Sequence, residues 1–420
     1  MAELAIEGGL CFVRGKFEKC NIGIEGGKIV YVGRENLKAD ERINARGCLV
    51  IPGFFNAHTH SAMTLLRGYA EGLPLKEWLE KVWEIERRLD ERAVYVGAKL
   101  ACVEMLKSGI TCFSDMYIHM DGVAKAVRET GIRAVLGYGM ADRGSEDKAK
   151  EELRIAERFI QKWNEEERIK CMLTPHAVYT CSPDFLIRIA DFAKERDLIK
   201  HIHASETIWE VRETKKKYGM SPVELLNSIG FLDDKTVLAH GVWLSERDME
   251  IISKAKTSVA HCPSSNLKLS SGIAKVSEML DKGINVCLGT DGAASNNMLN
   301  MFAEIRLSAL LQQLRRRFLS PTEYIKMATE NGYDAYGIEG GTIEAGKLAD
   351  LAILEITHSH HPLHNPVNSV VFGSSGSEVR DVIVNGEVVV EDRNLVMVDE
   401  EGVLEEVEEV LKLSIHHEKV

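Results

Sequence analysis

Eight strand-like segments alternate with helix-like segments in the middle of this chain, and this alternation limits its fold more than any other feature. The helix-like segments are amphipathic, as in "ERAVYVGAKLACVEMLKSG" (91–109). The strand-like segments are short apolar runs that mostly end in polar residues, and they cover 48–58, 109–117, 132–140, 169–179, 198–206, 236–243, 257–266 and 284–295. Eight strands that alternate with helices over roughly 250 residues predict an α/β fold, a (β/α)8 barrel of the TIM type.

The two ends of the chain have a different, β-rich pattern. Before residue 52, short apolar runs alternate with glycine turns, and the same pattern returns after residue 346. We therefore predict two domains. Residues 1–51 and 346–420 would form a small β-sandwich with a C-terminal helix, and residues 52–345 would form the barrel.

The composition argues against two kinds of partner and favours one compartment. A net charge of −12 over 420 residues argues against nucleic acid, which binds basic surfaces. No apolar run approaches the ~18 residues that span a bilayer, and the N-terminus shows no basic leader, so we expect neither a membrane anchor nor a signal peptide. Nine cysteines without a C-x-x-C pair predict buried thiols in a reducing cytoplasm.

Polar residues collect where the predicted barrel strands end. The active site of such a barrel lies at the carboxyl ends of its strands. A single histidine there is more often a hydrogen-bonded scaffold residue than a ligand, but six of the eight strands end in such residues. They are His58 and His60 on the first strand, His176 on the fourth, His203 and Glu206 on the fifth, and His240, His261 and Asp291 on the sixth to eighth.

These side chains have the chemistry of a metal site. His58 and His60 are two positions apart, so on a strand they point to the same side and can bind one ion. Imidazoles with a carboxylate suit Zn²⁺, or alternatively Fe²⁺, and we expect one divalent ion per chain, with a position left for water whose pKa falls to roughly 7. Asp291 can ligate the ion and take a proton from that water, Glu206 can act on a substrate as acid and base, and His240 can orient the water.

Five segments carry a family resemblance: "PGFFNAHTH" (52–60), "HIHASE" (201–206), "VLAHGVWLSE" (237–246), "HCPSSNLKLSSG" (261–272) and "LGTDGAASNN" (288–297). They resemble the amidohydrolase superfamily over nearly the whole chain. The chain is similar to its single-metal deaminase branch, because no lysine stands at the fourth-strand position that His176 holds. Within that branch it resembles the 5′-methylthioadenosine/S-adenosylhomocysteine deaminases and the related 5′-deoxyadenosine deaminases.

The resemblance implies a role for each site residue. Glu206 would protonate N1 of an adenine ring while hydroxide adds at C6, and ammonia would leave to give an inosine product. Glu86 would hold the ribose hydroxyls, and His176 would contact the nucleoside. The implied metal ligands are His58, His60, His203 and Asp291.

Three further residues concern the 5′ end of the nucleoside. Trp78 would wall the pocket there, although an anchor on an amphipathic helix is an equally good account. The homocysteine-recognising enzymes commonly carry an arginine at the end of the third strand, where this chain has Tyr138. A phenol cannot make the paired, charge-assisted hydrogen bonds that a guanidinium makes with a carboxylate. Arg143, in the loop that follows, could supply the missing guanidinium. We therefore expect 5′-deoxyadenosine and 5′-methylthioadenosine to be preferred over S-adenosylhomocysteine.

Other candidates receive structural interpretations. We expect His201 to face the opposite side of its strand from His203, away from the metal. His119 would either support the site from a second layer or cap a helix, and the histidine-rich segment 357–365 would be a surface loop. Ser295 and Asn296 would shape the loop after the last strand.

Two alternatives to a nucleoside deaminase stay open. One is a deaminase or hydrolase of a free base or a triazine, built on the same metal site. The other is a catalytically inactive structural homologue, against which the complete set of ligands argues. The polynucleotide base deaminases are excluded, because their H-x-E and P-C-x-x-C pattern is missing. We expect a small-molecule nucleoside partner and a homo-oligomer, either a dimer or a tetramer.

Overall fold

The chain begins with five short strands. The computed structural model describes residues 2–415. Glycine turns separate several of these strands, as the alternation of apolar runs and glycines predicts. The strands are β1 (Ala2–Val13), β2 (Lys16–Glu25), β3 (Lys28–Gly33), β4 (Ala39–Asn44) and β5 (Cys48–Pro52).

Eight parallel strands follow and form the barrel, which confirms the predicted fold. They are hydrogen-bonded in chain order, first to last. Nearly all of their residues are buried, because helices cover the outside and side chains fill the inside. The strands are β6 (Phe54–Thr59), β7 (Ile110–Tyr117), β8 (Arg133–Met140), β9 (Ile169–Pro175), β10 (Ile199–Ala204), β11 (Thr236–His240), β12 (Ser258–His261) and β13 (Val286–Leu288).

Helices connect these strands and cover the barrel. Serine or aspartate caps begin many of them, as Ser182 does by accepting a hydrogen bond from the Phe185 N–H. The helices are α1 (Leu75–Glu86), α2 (Glu91–Lys107), α3 (Met120–Thr130), α4 (Glu146–Trp163), α5 (Pro183–Arg196), α6 (Ile208–Tyr218), α7 (Pro222–Ser228), α8 (Glu246–Ala255), α9 (Pro263–Lys268), α10 (Val276–Asp281), α11 (Ala293–Asn296), α12 (Met301–Leu314), α13 (Pro321–Met327) and α14 (Glu330–Ala335).

The chain ends in four more strands and two helices. Short 3₁₀ turns lie at Ser61–Leu66 and His358–His360, and π turns lie at Ser369–Gly373 and Leu411–Ile415. The strands and helices are β14 (Leu351–Glu355), α15 (Pro366–Asn368), β15 (Val379–Val384), β16 (Glu387–Glu391), β17 (Asn394–Leu395) and α16 (Glu400–Val410).

Both chain ends build one mixed sheet of nine strands. Its order is β17-β16-β15-β14-β5-β1-β2-β3, with β4 beside β1, and β5 pairs with β14 in antiparallel register. The prediction of a small β domain made by both ends is confirmed, and its strands are continuous in a single hydrogen-bonded sheet. The exact boundaries at 51/52 and 345/346 stay predictions. Helix α16 packs on barrel helix α2, to which the Arg92–Glu409 ion pair also joins it.

The side of the barrel where its first and last strands meet is closed by side-chain and backbone hydrogen bonds. Asn56 donates from Nδ2 to Thr290 Oγ1 at 2.7 Å, and its Oδ1 accepts from the Thr290 N–H at 2.9 Å. The Asp291 N–H donates to the His58 carbonyl at 2.9 Å. These bonds bring the residues that follow β13 against the end of β6.

Two expectations from composition have a structural outcome. All nine cysteines are free and buried, which confirms the prediction of buried thiols. Within residues 2–415, every helix is too short or too polar to cross a bilayer.

Candidate metal centre and active-site cavity

Three histidines and one aspartate converge at the carboxyl end of the barrel. The Asp291 Oδ1 atom lies 3.5 Å from His58 Nε2 and 3.4 Å from His60 Nε2. The Nε2 atoms of His60 and His203 are 3.4 Å apart. The structure thus brings together the four residues that the sequence suggested as ligands, from the first, fifth and last strands. His240 also comes within 4.8 Å of the His58 and Asp291 ligand atoms.

The aspartate is held in an unusual backbone conformation. Asp291 has a φ of 61°, in the left-handed region that residues with a side chain rarely adopt. Its Oδ1 accepts from the Gly292 N–H at 2.8 Å, and its Oδ2 accepts from Ser265 Oγ at 2.5 Å. Such strain persists where surrounding contacts over-determine it, which is common at functional sites.

Hydrogen bonds at Nδ1 orient the rings of His60 and His203. The Nδ1 atoms of His60 and His203 lie 2.7 Å from the carbonyl oxygens of Met116 and His176. A carbonyl oxygen can only accept, so each Nδ1 carries the proton and each Nε2 has a free lone pair. This arrangement suits a metal ligand.

The donor set fits a divalent ion. His58 Nε2 is buried and has no hydrogen-bond partner among the described residues, although it faces the carboxylate of Asp291. An unpaired buried nitrogen is costly, and an ion at this position would satisfy it. Imidazole nitrogens with one carboxylate are the ligands that Zn²⁺ and Fe²⁺ accept in proteins.

Burial keeps the imidazoles of His58 and His203 neutral. It lowers the pKa of His58 to about 4 and holds the pKa of His203 well below its usual range. Burial alone would raise the pKa of Asp291. The imidazoles that face it, among which His58 has the largest effect, outweigh burial and hold that pKa well below its usual value. Neutral histidines beside an ionised aspartate are the protonation states that coordination requires.

An acid–base pair lies beside the histidine cluster. His240 Nε2 is 3.7 Å from Glu206 Oε2, and Ser271 Oγ donates to Glu206 Oε1 at 3.2 Å. Burial raises the pKa of Glu206. Burial also lowers the pKa of His240, but the carboxylates of Glu206 and Asp291 outweigh it and raise that pKa. His240 Nδ1 lies 2.9 Å from Asn266 Oδ1, which fixes the direction of the ring.

A cavity of about 260 Å³ opens above this pair and the histidine cluster. Large apolar side chains form most of its wall, as is usual for a small-molecule site. Four residues predicted to contact substrate line it together: Trp78, Glu86, Arg143 and His176. Burial raises the pKa of Glu86, while the Tyr117 hydroxyl acts in the opposite direction.

Tyr138 does not line this cavity. Side chains alternate along β8, and Gly139 faces the cavity while Tyr138 faces a neighbouring groove that includes His119. The structure therefore does not support a contact between Tyr138 and the 5′ end of a ligand. Arg143 does line the cavity, with its guanidinium 5.3 Å from the ring centre of Trp83.

The prediction for His201 is wrong. Its Nε2 atom lies 2.9 Å from His58 Nδ1, so it contacts a residue of the histidine cluster directly. The reason is the period of two along a strand: residues 201 and 203 both point into the barrel. The same rule that pairs His58 with His60 should have placed His201 inside.

The remaining histidines have structural surroundings. His119 lies at the amino end of α3, where its side chain makes no capping hydrogen bond. His360 lies 3.0 Å from the Thr357 N–H and 2.9 Å from Ser374 Oγ. Among the described residues, the metal-capable groups are those around His58, and segment 357–365 contains none. His261 is buried, and neither of its ring nitrogens has a hydrogen-bond partner among the described residues.

The segment after β12 contributes residues that sequence reasoning did not single out. Ser265, Asn266 and Ser271 bind Asp291, His240 and Glu206, and all three lie in "HCPSSNLKLSSG" (261–272). Their clustering in one polar segment after a barrel strand was the available signal. Asn296 donates to the Thr290 carbonyl at 2.8 Å, in agreement with a role in shaping that loop. Ser295 bonds locally to Gly292.

Comparison with known proteins agrees with the geometry. The chain is similar to 5-methylthioadenosine/S-adenosylhomocysteine deaminase 2 of Archaeoglobus fulgidus, with 57% identity over 411 residues, covering 97% of this chain and 98% of the relative. It is 43% identical over 401 residues to the 5'-deoxyadenosine deaminase of Methanosarcina acetivorans, covering 93% of each chain.

A solved structure has the same fold. The adenosine deaminase from Xanthomonas campestris, with bound zinc, superposes with a TM-score of 0.94 at 29% identity and covers 98% of both chains. The model of the Amidohydrolase family matches residues 49–389, which include the whole barrel. This chain therefore belongs to the amidohydrolase family.

Proposed function

We propose that this protein is a zinc-dependent deaminase that converts an adenosine-type nucleoside to the inosine analogue and ammonia. The observation that carries the proposal is the placement of Glu206 and His240 on one cavity wall with His60, His203 and Asp291. A proton-transfer pair and a metal-ligand set in one cavity are the parts that hydrolytic deamination requires. The names of the relatives, deaminases of methylthioadenosine, S-adenosylhomocysteine and 5'-deoxyadenosine, support the substrate class.

Each residue has a separate task in this reaction. His58, His60, His203 and Asp291 would hold a zinc ion, which would supply a water of lowered pKa. His240 would orient that water and Asp291 would receive its proton, while Glu206 would deliver a proton to N1 of the adenine ring. Glu206 suits this task because burial raises its pKa, which favours the protonated carboxyl group that can donate. Glu86 accepts from the ribose hydroxyls, and His176 contacts the nucleoside.

Release of ammonia from a panel of compounds tests the proposal. We expect turnover of adenosine, 5′-deoxyadenosine, 5′-methylthioadenosine and S-adenosylhomocysteine by zinc-loaded protein, with adenine and a triazine as matched compounds that lack the ribose. Turnover of adenine or the triazine alone would favour the free-base alternative. A folded, zinc-loaded protein that acts on none of these compounds would favour the inactive homologue.

Arg143 is the group that we propose for recognition of the 5′ end. The guanidinium is exposed at the cavity and rests on Trp83, so it can reach a carboxylate on a long 5′ substituent. The expected preference for small 5′ groups rested on Tyr138. Because Tyr138 lies outside the cavity, the structure does not support that preference. Arg143→Met should lower kcat/KM for S-adenosylhomocysteine roughly ten-fold and leave that for 5′-deoxyadenosine nearly unchanged. Equal losses for both substrates would remove Arg143 from 5′ recognition.

A homo-oligomer and a cytoplasmic location are also proposals. Nine buried free cysteines support a reducing compartment. The exposed apolar side chains of Leu314 and Phe318, at and beyond the end of α12, support self-association as a dimer or tetramer. Sedimentation and cell fractionation test these two proposals.

A further inference from the structure

We infer that His201 and Tyr336 together set the tautomer of His58, so that its Nε2 lone pair faces the metal position. The two residues form a chain of hydrogen bonds from the backbone of β6 to His58 itself. This inference rests on the proposed metal site. It assigns a positioning role to two residues that touch neither the ion nor the substrate.

The direction of these hydrogen bonds is fixed at the end where Tyr336 meets the Ala57 carbonyl. Tyr336 donates its hydroxyl proton to the Ala57 carbonyl at 2.6 Å. A hydroxyl has one proton, so the phenol oxygen must accept from the next partner. That partner is His201 Nδ1, at 2.7 Å, and Nδ1 of His201 is therefore protonated.

The position of the proton on His201 then determines the position of the proton on His58. His201 is fully buried, and its ring nitrogens face an imidazole and a phenol, so the neutral form is favoured. With its proton on Nδ1, His201 presents a lone pair at Nε2, and His58 Nδ1 must donate to it across 2.9 Å. The two ring planes are 9° apart and the ring centres are 4.9 Å from each other. The proton of His58 is thus on Nδ1, and Nε2 is left free.

His58 differs in this respect from the other two histidines. His60 and His203 donate to backbone carbonyls, which can only accept and so determine the tautomer alone. The acceptor of His58 is a second imidazole, which could donate instead if its own proton moved to Nε2. Tyr336 prevents that exchange, because its only proton is directed to the Ala57 carbonyl.

Tyr336 is well placed to keep this direction. It follows α14 at the amino-terminal end of the barrel, where its ring stacks on Phe55 with the planes 12° apart. The phenol is fully buried, so water does not compete for its proton. The tautomer of His58 is therefore determined by packing one layer below the metal position.

Four variants of the full-length, zinc-loaded protein test the inference. His201→Leu removes the acceptor, whereas His201→Gln places an amide oxygen near the position of Nε2. Tyr336→Phe removes the phenol, and Tyr324→Phe is its control, because Tyr324 is equally buried and its hydroxyl has no partner among the described residues. The readouts are the rate of zinc release to a chromophoric chelator and the visible spectrum of the cobalt-substituted protein, neither of which requires turnover.

The expected results differ between the variants. His201→Leu should speed zinc release by about 10- to 100-fold and change the cobalt spectrum, in the range known for partners of metal-bound histidines. His201→Gln should release zinc at a rate much closer to that of the wild type than His201→Leu does. Tyr336→Phe should speed zinc release several-fold, and Tyr324→Phe should match the wild type. Unchanged zinc release in His201→Leu, or equal loss in His201→Gln and His201→Leu, would overturn the inference.

These outcomes separate the inference from the proposed function. A protein that binds zinc and responds as described, but releases no ammonia from any nucleoside, supports the tautomer assignment and contradicts the deaminase proposal. A wild-type protein without affinity for zinc contradicts both.

Discussion

Each oxygen of the Glu206 carboxyl group has a polar neighbour. His240 faces one oxygen and Ser271 donates to the other. Glu206→Gln keeps the shape and these neighbours, but it can no longer transfer a proton. We expect kcat to fall at least ~10²-fold, with the zinc content unchanged by elemental analysis. Wild-type kcat would assign the proton transfer to another residue, and loss of zinc would make Glu206 a ligand.

Glu210 gives the folded protein a dependence on pH. It is fully buried, one of its oxygens has no partner among the described residues, and burial raises its pKa from 4.5 to about 8. The unfolded chain releases this proton near pH 4.5 and the folded chain holds it to about pH 8. The stability that the protonated form contributes is therefore present below pH 4.5 and lost as the pH rises through this window.

Glu210→Gln removes this titration. The free energy of unfolding of the variant, relative to the wild type, should rise between pH 5 and pH 8 by on the order of 2 kcal/mol. Urea unfolding at both pH values measures it. Glu213→Gln, an exposed change on the same helix, is the control and should follow the wild type. Parallel curves for the wild type and Glu210→Gln would show that Glu210 is already ionised at pH 5.

At the residue scale, the sequence predicts chemistry better than orientation. The strand-end placement put His58, His60 and His203 among the candidates, because a strand end in a barrel restricts where a side chain can point, and the family resemblance identified them as ligands. Tyr138 lies between two glycines, and neither neighbour indicates which face of β8 is inside. Arg143 lies in a loop, so its reach into the cavity depended on the fold of that loop.

At the scale of elements, α14 packs on β6 through a glycine. A Cβ atom at Gly332 would lie 2.7 Å from the Cβ of Phe55, which packs against the rings of Tyr333 and Tyr336. Gly332→Ala should therefore lower the free energy of unfolding by about 1–3 kcal/mol, measured by urea unfolding. Gly402→Ala in the more exposed helix α16, where the nearest atoms belong to the Asp399 side chain and lie 3.1 Å or more away, should be neutral or raise it by up to ~1 kcal/mol. A neutral Gly332→Ala would mean that α14 can move away from β6.

Two of the predicted barrel strands are longer than the strands that the structure contains. The last two strand-like segments, 257–266 and 284–295, contain only the short strands β12 and β13. Pro263 begins α9 within the first segment, and α11 begins within the second. Apolar and small residues continue past the strand ends because the site lies there, so hydropathy alone could not show where each strand stops.

At the scale of the whole molecule, a bound ion would join distant parts of the chain. The candidate ligands come from β6, β10 and the loop after β13, and β6 and β13 meet through side-chain bonds such as Asn56–Thr290. Saturating zinc should therefore raise Tm, with a gain of about 2.7 kcal/mol at a free concentration 100 times Kd. A chelator should reverse the shift, as scanning calorimetry would show. His60→Ala should abolish the response, and a Tm insensitive to zinc in the wild type would contradict the metal site.

The sequence also indicated that both chain ends share a domain, but not how their strands join. Similar composition at the two ends suggested a common β structure. The pairing of β5 with β14 was not predictable, because strand register depends on contacts between segments about 300 residues apart.

That pairing has a consequence for the order of events during synthesis. At about 5–20 residues per second, strand β14 leaves the ribosome roughly 15–60 s after its neighbour β5. During this interval the amino-terminal strands have an open edge, which invites wrong pairing with other chains. The barrel strands end at Leu288 and are all available earlier. The amino-terminal strands of the sheet are therefore the segment of the nascent protein that needs protection, and a chaperone or rapid burial against the barrel would have to supply it until β14 has been made.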